Sequence, residues 1–146
     1  MNAKEFLSRA WYLEQQVQSK LEQIERMRSL ASRVTASFDK AAGHSRNVSS
    51  MQDMIVKIME TEEELNREID ELVTVRKEIA GVINRIRAVT LRLILEKRYL
   101  SFQSMEQIGT DLYYSERWIK IKHREALDAV QQIMDEREAD EMQMQK

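Results

Sequence analysis

The chain has 146 residues and a formal net charge of −2, which suits one domain, or a small domain plus an extended element. It contains no Pro, three Gly and 33% charged residues, a composition that predicts a nearly all-α fold. The lack of Cys excludes disulfides, thiolate metal sites and cysteine nucleophiles, and the net charge excludes a uniform attraction to nucleic acid.

The first residues, MNAKEFLSRAWYLEQQ, lack the basic start and the unbroken apolar core of a signal peptide. No apolar run in the sequence is long enough to span a bilayer. We therefore expect a soluble, cytoplasmic protein without a membrane partner.

A first helix is predicted from Ala3 to Phe38, because apolar or small residues recur there in steps of three and four. This stripe comprises Phe6, Ala10, Leu13, Val17, Ile24, Met27, Ala31, Val34 and Phe38. The stretch DKAAGHSRNVSS, from Asp39 to Ser50, breaks the pattern and is typical of a loop. A second helix is predicted to begin at Ser49, which has a capping spacing with Gln52.

The apolar stripe of this second helix continues for about forty residues, or roughly 60 Å of helix. It comprises Ile55, Ile58, Leu65, Ile69, Leu72, Ile79, Ile83, Ile86 and Leu93. Folding the two helices together predicts an antiparallel, coiled-coil-like hairpin over residues 1–95, with its loop near 39–50. The second helix is the longer one, so its last turns need either the C-terminal segment or another chain. A homodimer is therefore one hypothesis.

The run from Glu60 to Glu71 holds seven acidic residues and one basic residue. It is typical of a solvated helix face, and an acidic surface for a protein partner is the alternative. Carboxylates at helical spacing without His do not favour a di-metal site. Since neither a phosphate-binding glycine loop nor a serine elbow is present, we expect no enzyme activity, no catalytic residues, no metal ligands and no cofactor.

Five basic residues precede the C-terminal segment, namely Arg85, Arg87, Arg92, Lys97 and Arg98. Helices that lead into a DNA-recognition pair commonly cross the sugar-phosphate backbone. We predict that Lys97 and Arg98 contact phosphates, whereas the plain alternative for each is solubility. Tyr99 and Leu100 are predicted to pack beneath the segment that follows.

Residues 96–134 predict a helix-turn-helix, followed by an acidic tail over 135–146. Ser104 and Gln107 have the spacing of a capping box, Gly109 permits a close helix crossing, and Ser115 is a suitable N-cap. In the second helix the predicted buried stripe is Ile119, Ala126, Leu127 and Val130. The residues predicted to face outward are Glu116, Arg117, Trp118, Lys120, Ile121 and Arg124.

This outward face has the side chains that a DNA-reading helix needs. Arg can bind a guanine edge with two hydrogen bonds, Lys and Arg can neutralise phosphates, and an apolar group can contact a thymine methyl. A helix-turn-helix also occurs as a plain packing unit, so the alternative of a module without DNA stays open.

The string LEKRYLSFQSMEQIGTDLYYSERWIKIKHREAL resembles the fourth region of bacterial sigma factors, whose helix-turn-helix reads the −35 promoter element. Over roughly Val48 to Val130 the chain is similar to the ArpU/RinA-type late-gene transcription activators of phages and prophages. The resemblance implies a sigma-like activator in the bacterial host cell that binds double-stranded DNA and contacts RNA polymerase. It implies base contacts for Glu116, Arg117 and Ile121, and backbone contacts for Trp118 and Lys120.

Two positions depart from the sigma pattern. Tyr113 stands in the turn where Gly is usual, and a bulky residue disfavours positive φ, which predicts a turn of another shape. Lys122 stands where an apolar residue is expected. Either its aliphatic stem lies along the core, or the helix is rotated so that Ile121 is buried instead.

Two alternatives to a transcription regulator remain at the level of sequence. One is a coiled-coil adaptor, or an inhibitor of a host protein, that does not bind DNA. The segment from Tyr99 to Met134 carries four basic and five acidic residues, which favours this alternative. The other is a subunit of a phage DNA-packaging machine.

Overall fold

The computed structural model describes residues 1–40 and 45–145, and helices dominate both ranges. The predicted all-α fold is confirmed: the described residues contain no strand. The elements in chain order are α1 (Ala3–Lys40), α2 (Ser45–Ile83), α3 (Val89–Leu95), a π-helical segment (Glu96–Leu100), α4 (Met105–Leu112) and α5 (Glu116–Met144).

The loop predicted from Asp39 to Ser50 is wrong at both of its ends, which are helical. Helix α1 extends to Lys40 and α2 already begins at Ser45, so Ser49 lies inside a helix and does not cap its start. Small and polar residues suggested a loop here, but Ser, Arg and Asn cost only a few tenths of a kcal/mol each in a helix and do not break it. Residues 41–44 of the predicted loop lie outside the described residues.

The second predicted helix was wrong in its continuity, because it does not run unbroken to Leu93. Helix α2 ends at Ile83, and tight backbone hydrogen bonds turn the chain there, from Arg85 N to the Val82 carbonyl (3.1 Å) and from Ile86 N to the Ile83 carbonyl (3.0 Å). The bend buries both Ile83 and Ile86, which a straight helix that continued past the core would expose. Periodicity continued across the bend and so gave no sign of it.

The chain divides into two compact units. The first unit comprises Met1–Tyr12 and Val73–Lys146, and the second comprises Leu13–Leu72. The boundary predicted after residue 95 therefore falls inside the first unit, which joins both ends of the chain. One direct link is a hydrogen bond from the Ala3 backbone N–H to Gln131 Oε1 (2.8 Å).

Among the described residues, the largest fully buried side chains all lie in the first unit. They are Leu7, Ile79, Val82, Ile83, Ile94, Leu95, Ile108, Ile119 and Val130. The last turns of α2 are thus covered within this unit, as one of the two sequence alternatives required. The predicted tail over 135–146 continues α5 as helix to Met144.

The second unit pairs the part of α1 from Leu13 onward with the part of α2 up to Leu72. Its buried apolar side chains are Leu13, Val17, Ile24, Leu65 and Leu72, all of which belong to the predicted stripes. Ion pairs join Lys20 to Glu64 (2.7 Å) and Arg28 to Glu62. The residue numbers rise on α1 as they fall on α2, which is the order that an antiparallel helix pair gives.

Candidate nucleic-acid interface

Helices α4 and α5 begin where the sequence predicts. Ser104 Oγ accepts a hydrogen bond from the Gln107 backbone N–H (3.1 Å), and Gln107 Oε1 accepts one from the Ser104 N–H (3.4 Å). This is the reciprocal capping box. Ser115 Oγ likewise accepts from the Trp118 N–H (3.1 Å). These caps fix the two helix starts.

The turn between α4 and α5 keeps the left-handed conformation that Tyr113 was expected to prevent. Tyr113 has φ 63° and ψ 39°, and its backbone N–H bonds to the Gly109 carbonyl. The Tyr113 side chain is 93% exposed, so its bulk meets no neighbour. The cost therefore falls on the backbone of Tyr113 alone, and the helix pair keeps its tight turn.

Gly109 permits the close approach that the sequence predicts at this position. A Cβ atom added there would lie 2.7 Å from the Tyr114 backbone oxygen. The Tyr114 N–H also bonds to the Gly109 carbonyl (2.9 Å). Because the obstacle is backbone, it cannot move aside cheaply, and the turn requires Gly here.

A small apolar cluster holds the two helices to α3. Ile94, Ile108 and Ile119 have no exposed surface, and three partly buried side chains pack against them, Met105, Leu112 and Trp118. The predicted inward residues Ala126 and Val130 are also buried. Helix α5 is therefore fixed in rotation about its axis, which determines the side that it presents to solvent.

Six residues of α5 were predicted to face outward, and four of them form a single stripe on its exposed face. Arg117, Lys120, Ile121 and Arg124 are exposed and lie at i, i+3, i+4 and i+7, so they share one side of the helix. Glu116, also exposed, forms an ion pair with Lys120 (3.2 Å). No hydrogen bond or ion pair to another described residue engages the Arg117 or Arg124 side chain.

The two alternatives for Lys122 are decided in favour of the snorkelling side chain. Lys122 is half-buried, with Nζ 5.4 Å from the centre of the Trp118 ring and 3.3 Å from a Glu125 carboxylate oxygen. Ile121 is 49% exposed, so the helix is not rotated towards it. The Lys122 stem thus covers apolar surface while its ammonium group reaches the rim.

Trp118 differs from its predicted place on the outward face. Its indole is half-buried, packs against the isoleucine cluster and stacks on the Tyr114 ring with centroids 3.8 Å apart and planes at 17°. Large aromatic side chains gain more from such burial than from exposure. Trp118 therefore packs against the turn and is not part of the exposed face that contains Arg117.

The two basic residues predicted to contact phosphates already have partners within the protein. Lys97 Nζ lies 3.3 Å from Asp111 Oδ2 of α4, and Arg98 Nη1 donates to the Gln103 carbonyl (3.0 Å). Arg92 similarly donates to the Ile86 carbonyl (3.2 Å). Arg85 and Arg87 are exposed and have no such partner among the described residues. The spacing of these residues in the sequence does not distinguish the arginines that have a partner from those that have none.

Beneath the exposed face of α5, His123 joins the π-helical segment. His123 Nε2 and Tyr99 Oη are 2.6 Å apart, and the two rings stack at 5.6 Å. Burial, with Arg98 and Lys4 nearby, lowers the pKa of His123 to about 4, and burial raises the pKa of Tyr99. The imidazole is therefore neutral at pH 7 and serves packing, as the buried Tyr99 does.

In the described part of the chain, no three His, Cys, Asp or Glu residues are grouped as a metal site would need. Over the same residues, no helix is both long and apolar enough to cross a membrane. Comparison with known proteins gives one match, to a family model described as a protein of unknown function (DUF1492), over residues 30–131. No curated protein and no solved structure matches the chain.

Proposed function

The chain belongs to the DUF1492 family of unknown function, and we propose that it is a sequence-specific DNA-binding regulator of transcription. In this proposal α5 enters the major groove with the stripe Arg117, Lys120, Ile121 and Arg124. The sigma-like resemblance adds the expectation of an activator of phage genes that contacts bacterial RNA polymerase. The paired helices of the second unit would supply that contact or a dimer interface.

One observation carries the proposal: the exposed stripe on a helix whose other faces are fixed. Arg117 and Arg124 have free guanidinium groups, which can bind a guanine edge or a phosphate. Ile121 is an exposed aliphatic side chain between them, suited to a thymine methyl. A single exposed isoleucine is common on protein surfaces. Its position between two arginines that no described residue engages is what favours a binding face.

The proposal assigns the phosphate contacts differently from the sequence prediction. Arg85 and Arg87 are exposed basic residues near the start of α3 that no described residue engages, whereas Lys97 would first have to release Asp111 and the Arg98 guanidinium is held at the Gln103 carbonyl. Breaking an ion pair or a carbonyl hydrogen bond offsets part of what a phosphate contact gains. We therefore expect Arg85→Ala and Arg87→Ala to weaken DNA binding more than Lys97→Ala does.

The direct test is fluorescence anisotropy with DNA fragments from the protein's own genomic neighbourhood and with random duplex, over a series of salt concentrations. Tight binding to one fragment, with a slope corresponding to several released counterions, is the expected result. Arg117→Ala should cost roughly 1–3 kcal/mol on that fragment and relax the preference at one base pair. Lys120→Ala should weaken all duplexes about equally.

Arg137→Ala is the matched control, because Arg137 is an exposed arginine on the distant C-terminal part of the same helix. It changes the net charge as Arg117→Ala does but should leave sequence preference unchanged. Equal losses for Arg117→Ala and Arg137→Ala on specific and random DNA would overturn the role assigned to the stripe.

A second candidate function is a protein-binding adaptor or host-protein inhibitor without DNA. Its specific support is the weakly acidic balance of Tyr99 to Met134, since proteins that bind DNA through a single module usually carry a basic surface. Absence of binding to every fragment at low salt, both alone and with purified RNA polymerase present, would favour this candidate. A monomer mass in light scattering that does not change with concentration would exclude the homodimer.

A further inference from the structure

A small aromatic pocket lies in the first unit, between the start of α1 and the π-helical segment. Its cavity volume is about 180 Å³. The residues that line it are Ser8, Trp11, Tyr12, Arg98, Tyr99 and Phe102. Four of these six side chains are aromatic, so the walls consist largely of ring surfaces. None of the six belongs to the exposed stripe of α5.

Two of the aromatic walls are exposed to solvent. Trp11 is 45% and Tyr12 64% exposed, and their rings meet edge to face with centroids 5.1 Å apart. Two large rings at 84° to one another form a corner that a third planar group can fill. Exposed Trp and Tyr side chains beside a cavity are typical of binding anchors.

The opposite wall is held by an unusual backbone. The segment Glu96–Leu100 is π-helical, a conformation found mostly as single turns and frequently at functional sites. Phe102, which follows it, has φ 57°, and the flanking N–H groups of Ser101 and Gln103 bond back to the carbonyls of Glu96 and Lys97. A phenylalanine in the left-handed region is strained, and this strain places its ring in the wall.

The charge in the pocket is positive and unbalanced. Arg98 uses Nη1 for the Gln103 carbonyl, which fixes the guanidinium group and leaves most of its five N–H donors available. No carboxylate of the described residues forms an ion pair with it. Two neighbouring cations do have a carboxylate partner, since Lys97 pairs with Asp111 and Arg9 pairs with Glu78. Arg76, whose guanidinium lies 5.9 Å from the centre of the Phe102 ring, donates to the Leu100 carbonyl and does not line the pocket.

From the ring surfaces on the walls and the Arg98 guanidinium, which has no carboxylate partner among the described residues, we propose that this pocket binds an aromatic carboxylate. The aromatic group lies between Trp11, Tyr12 and Phe102, and the carboxylate accepts hydrogen bonds from Arg98. The volume is below the 300–1,000 Å³ or so of pockets for drug-sized ligands, so it suits a ligand with one ring system. The carboxylate has two possible sources, a free aromatic acid or an aromatic side chain next to an acidic one in a protein partner.

The test is a titration of the full-length, ¹⁵N-labelled protein with 2-naphthoate, followed by NMR. The chain has two Trp residues, so two indole N–H signals report on two places. The Trp11 signal should shift and saturate with a dissociation constant on the order of 1 mM, as expected for a fragment-sized ligand. The Trp118 signal, which belongs to the isoleucine cluster, should not move.

The neutral isostere 2-naphthamide and three variants identify the interactions. We expect 2-naphthamide to bind at least about tenfold more weakly, and Arg98→Gln to reduce 2-naphthoate binding by about the same factor. Arg98→Lys keeps the charge and should retain part of the affinity, even if loss of the Gln103 contact makes Arg98→Gln less stable. Arg9→Gln removes a nearby but paired charge and should leave binding unchanged.

Equal binding of the acid and the amide, an equal loss in Arg9→Gln, or no saturable Trp11 shift up to about 10 mM would each overturn the proposal. The source is distinguished by repeating the titration with a short capped peptide in which Phe is flanked by Asp. Tighter binding of the peptide than of 2-naphthoate assigns the pocket to a protein partner. Tighter binding of 2-naphthoate assigns it to a small aromatic acid.

Discussion

The two compact units bury their apolar side chains to different depths. Ile94, Ile108 and Ile119 in the first unit have no exposed surface, whereas every buried apolar side chain of the second unit keeps between 5% and 9% exposure. Several helical segments surround a point in the first unit, but the second consists of two paired helices, whose seam is open along both edges. The exposed stripe of α5, which we propose as the recognition surface, belongs to the first unit, where the helix is held from several sides.

The largest effect expected from this comparison comes from matched truncations of one isoleucine in each unit. Ile119→Ala should lower the free energy of unfolding by about 4 kcal/mol, because a fully enclosed cavity cannot collapse. Ile24→Ala should cost only about 2 kcal/mol, since water and neighbouring side chains reach its site on the open seam. Urea denaturation followed by circular dichroism measures both values. A larger loss for Ile24→Ala would contradict the comparison.

Glycines sharpen the same contrast within the first unit. Gly109→Ala should destabilise by roughly 1–3 kcal/mol, because the new methyl group meets the Tyr114 backbone oxygen at 2.7 Å. Gly81→Ala is the matched control on an exposed turn of α2, where an added Cβ has nothing within 4 Å. It should stabilise the protein by about 0.5–1 kcal/mol through helix propensity alone. Thermal denaturation of the two variants should therefore give shifts of opposite sign.

The sequence predicted best where a local rule decides the structure. The capping box of Ser104 and Gln107, the cap at Ser115 and the crossing at Gly109 are all in place, because each depends on residues close in the chain. Periodicity also identified the buried residues Ile119, Ala126 and Val130 of α5, whereas Leu127, the fourth residue of the predicted stripe, is only half-buried. These features suffice to predict which face of α5 is exposed.

What sequence could not predict depends on contacts between distant segments. Lys97 was predicted to contact phosphate, but it pairs with Asp111. Sequence could not show this pairing, because it requires the fold to bring α4 against the π-helical segment. Trp118 was predicted to face outward, but its ring stacks on Tyr114. Sequence could not show this contact, because it depends on the shape of the turn. The bend after Ile83 has neither Pro nor Gly at the break, and both Ile83 and Ile86 are buried beside it, so its position depends on packing that a local rule does not describe.

The response to pH should also differ between the units. His123 in the first unit has a pKa of about 4 when folded, against about 6.5 in the unfolded chain. As the pH falls below about 6.5, the unfolded state binds this proton first, so stability declines until about pH 4 and is constant below it. After a discount for partial exposure, the total loss should be about 2 kcal/mol.

Between pH 5 and pH 7 the ion pair of the second unit should add little slope. The hydrogen bond to Lys20 lowers the pKa of Glu64 below 4.5, and the same bond raises the pKa of Lys20 above 10.5. Both groups therefore stay charged between pH 5 and pH 7. Denaturation at a series of pH values should show that the free energy of unfolding falls as the pH is lowered through this range. His123→Gln should remove this slope. His44→Gln, which removes the other histidine, should leave it unchanged. A slope lost in His44→Gln would refute the assignment to His123.

The smallest effect concerns the turn that joins α4 to α5. Tyr113→Gly should stabilise the first unit by about 1 kcal/mol, because Gly adopts φ 63° without the steric cost that a side chain incurs. The exposed Tyr113 ring makes little contact that could be lost, and Tyr113→Ala controls for it by removing the ring while keeping a Cβ. Tyr113→Ala should therefore stay close to the wild type in its denaturation midpoint. If both variants were stabilised equally, the Tyr113 ring would be the destabilising group. If neither variant were stabilised, the extra backbone entropy of Gly in the unfolded chain would have offset the relief of strain.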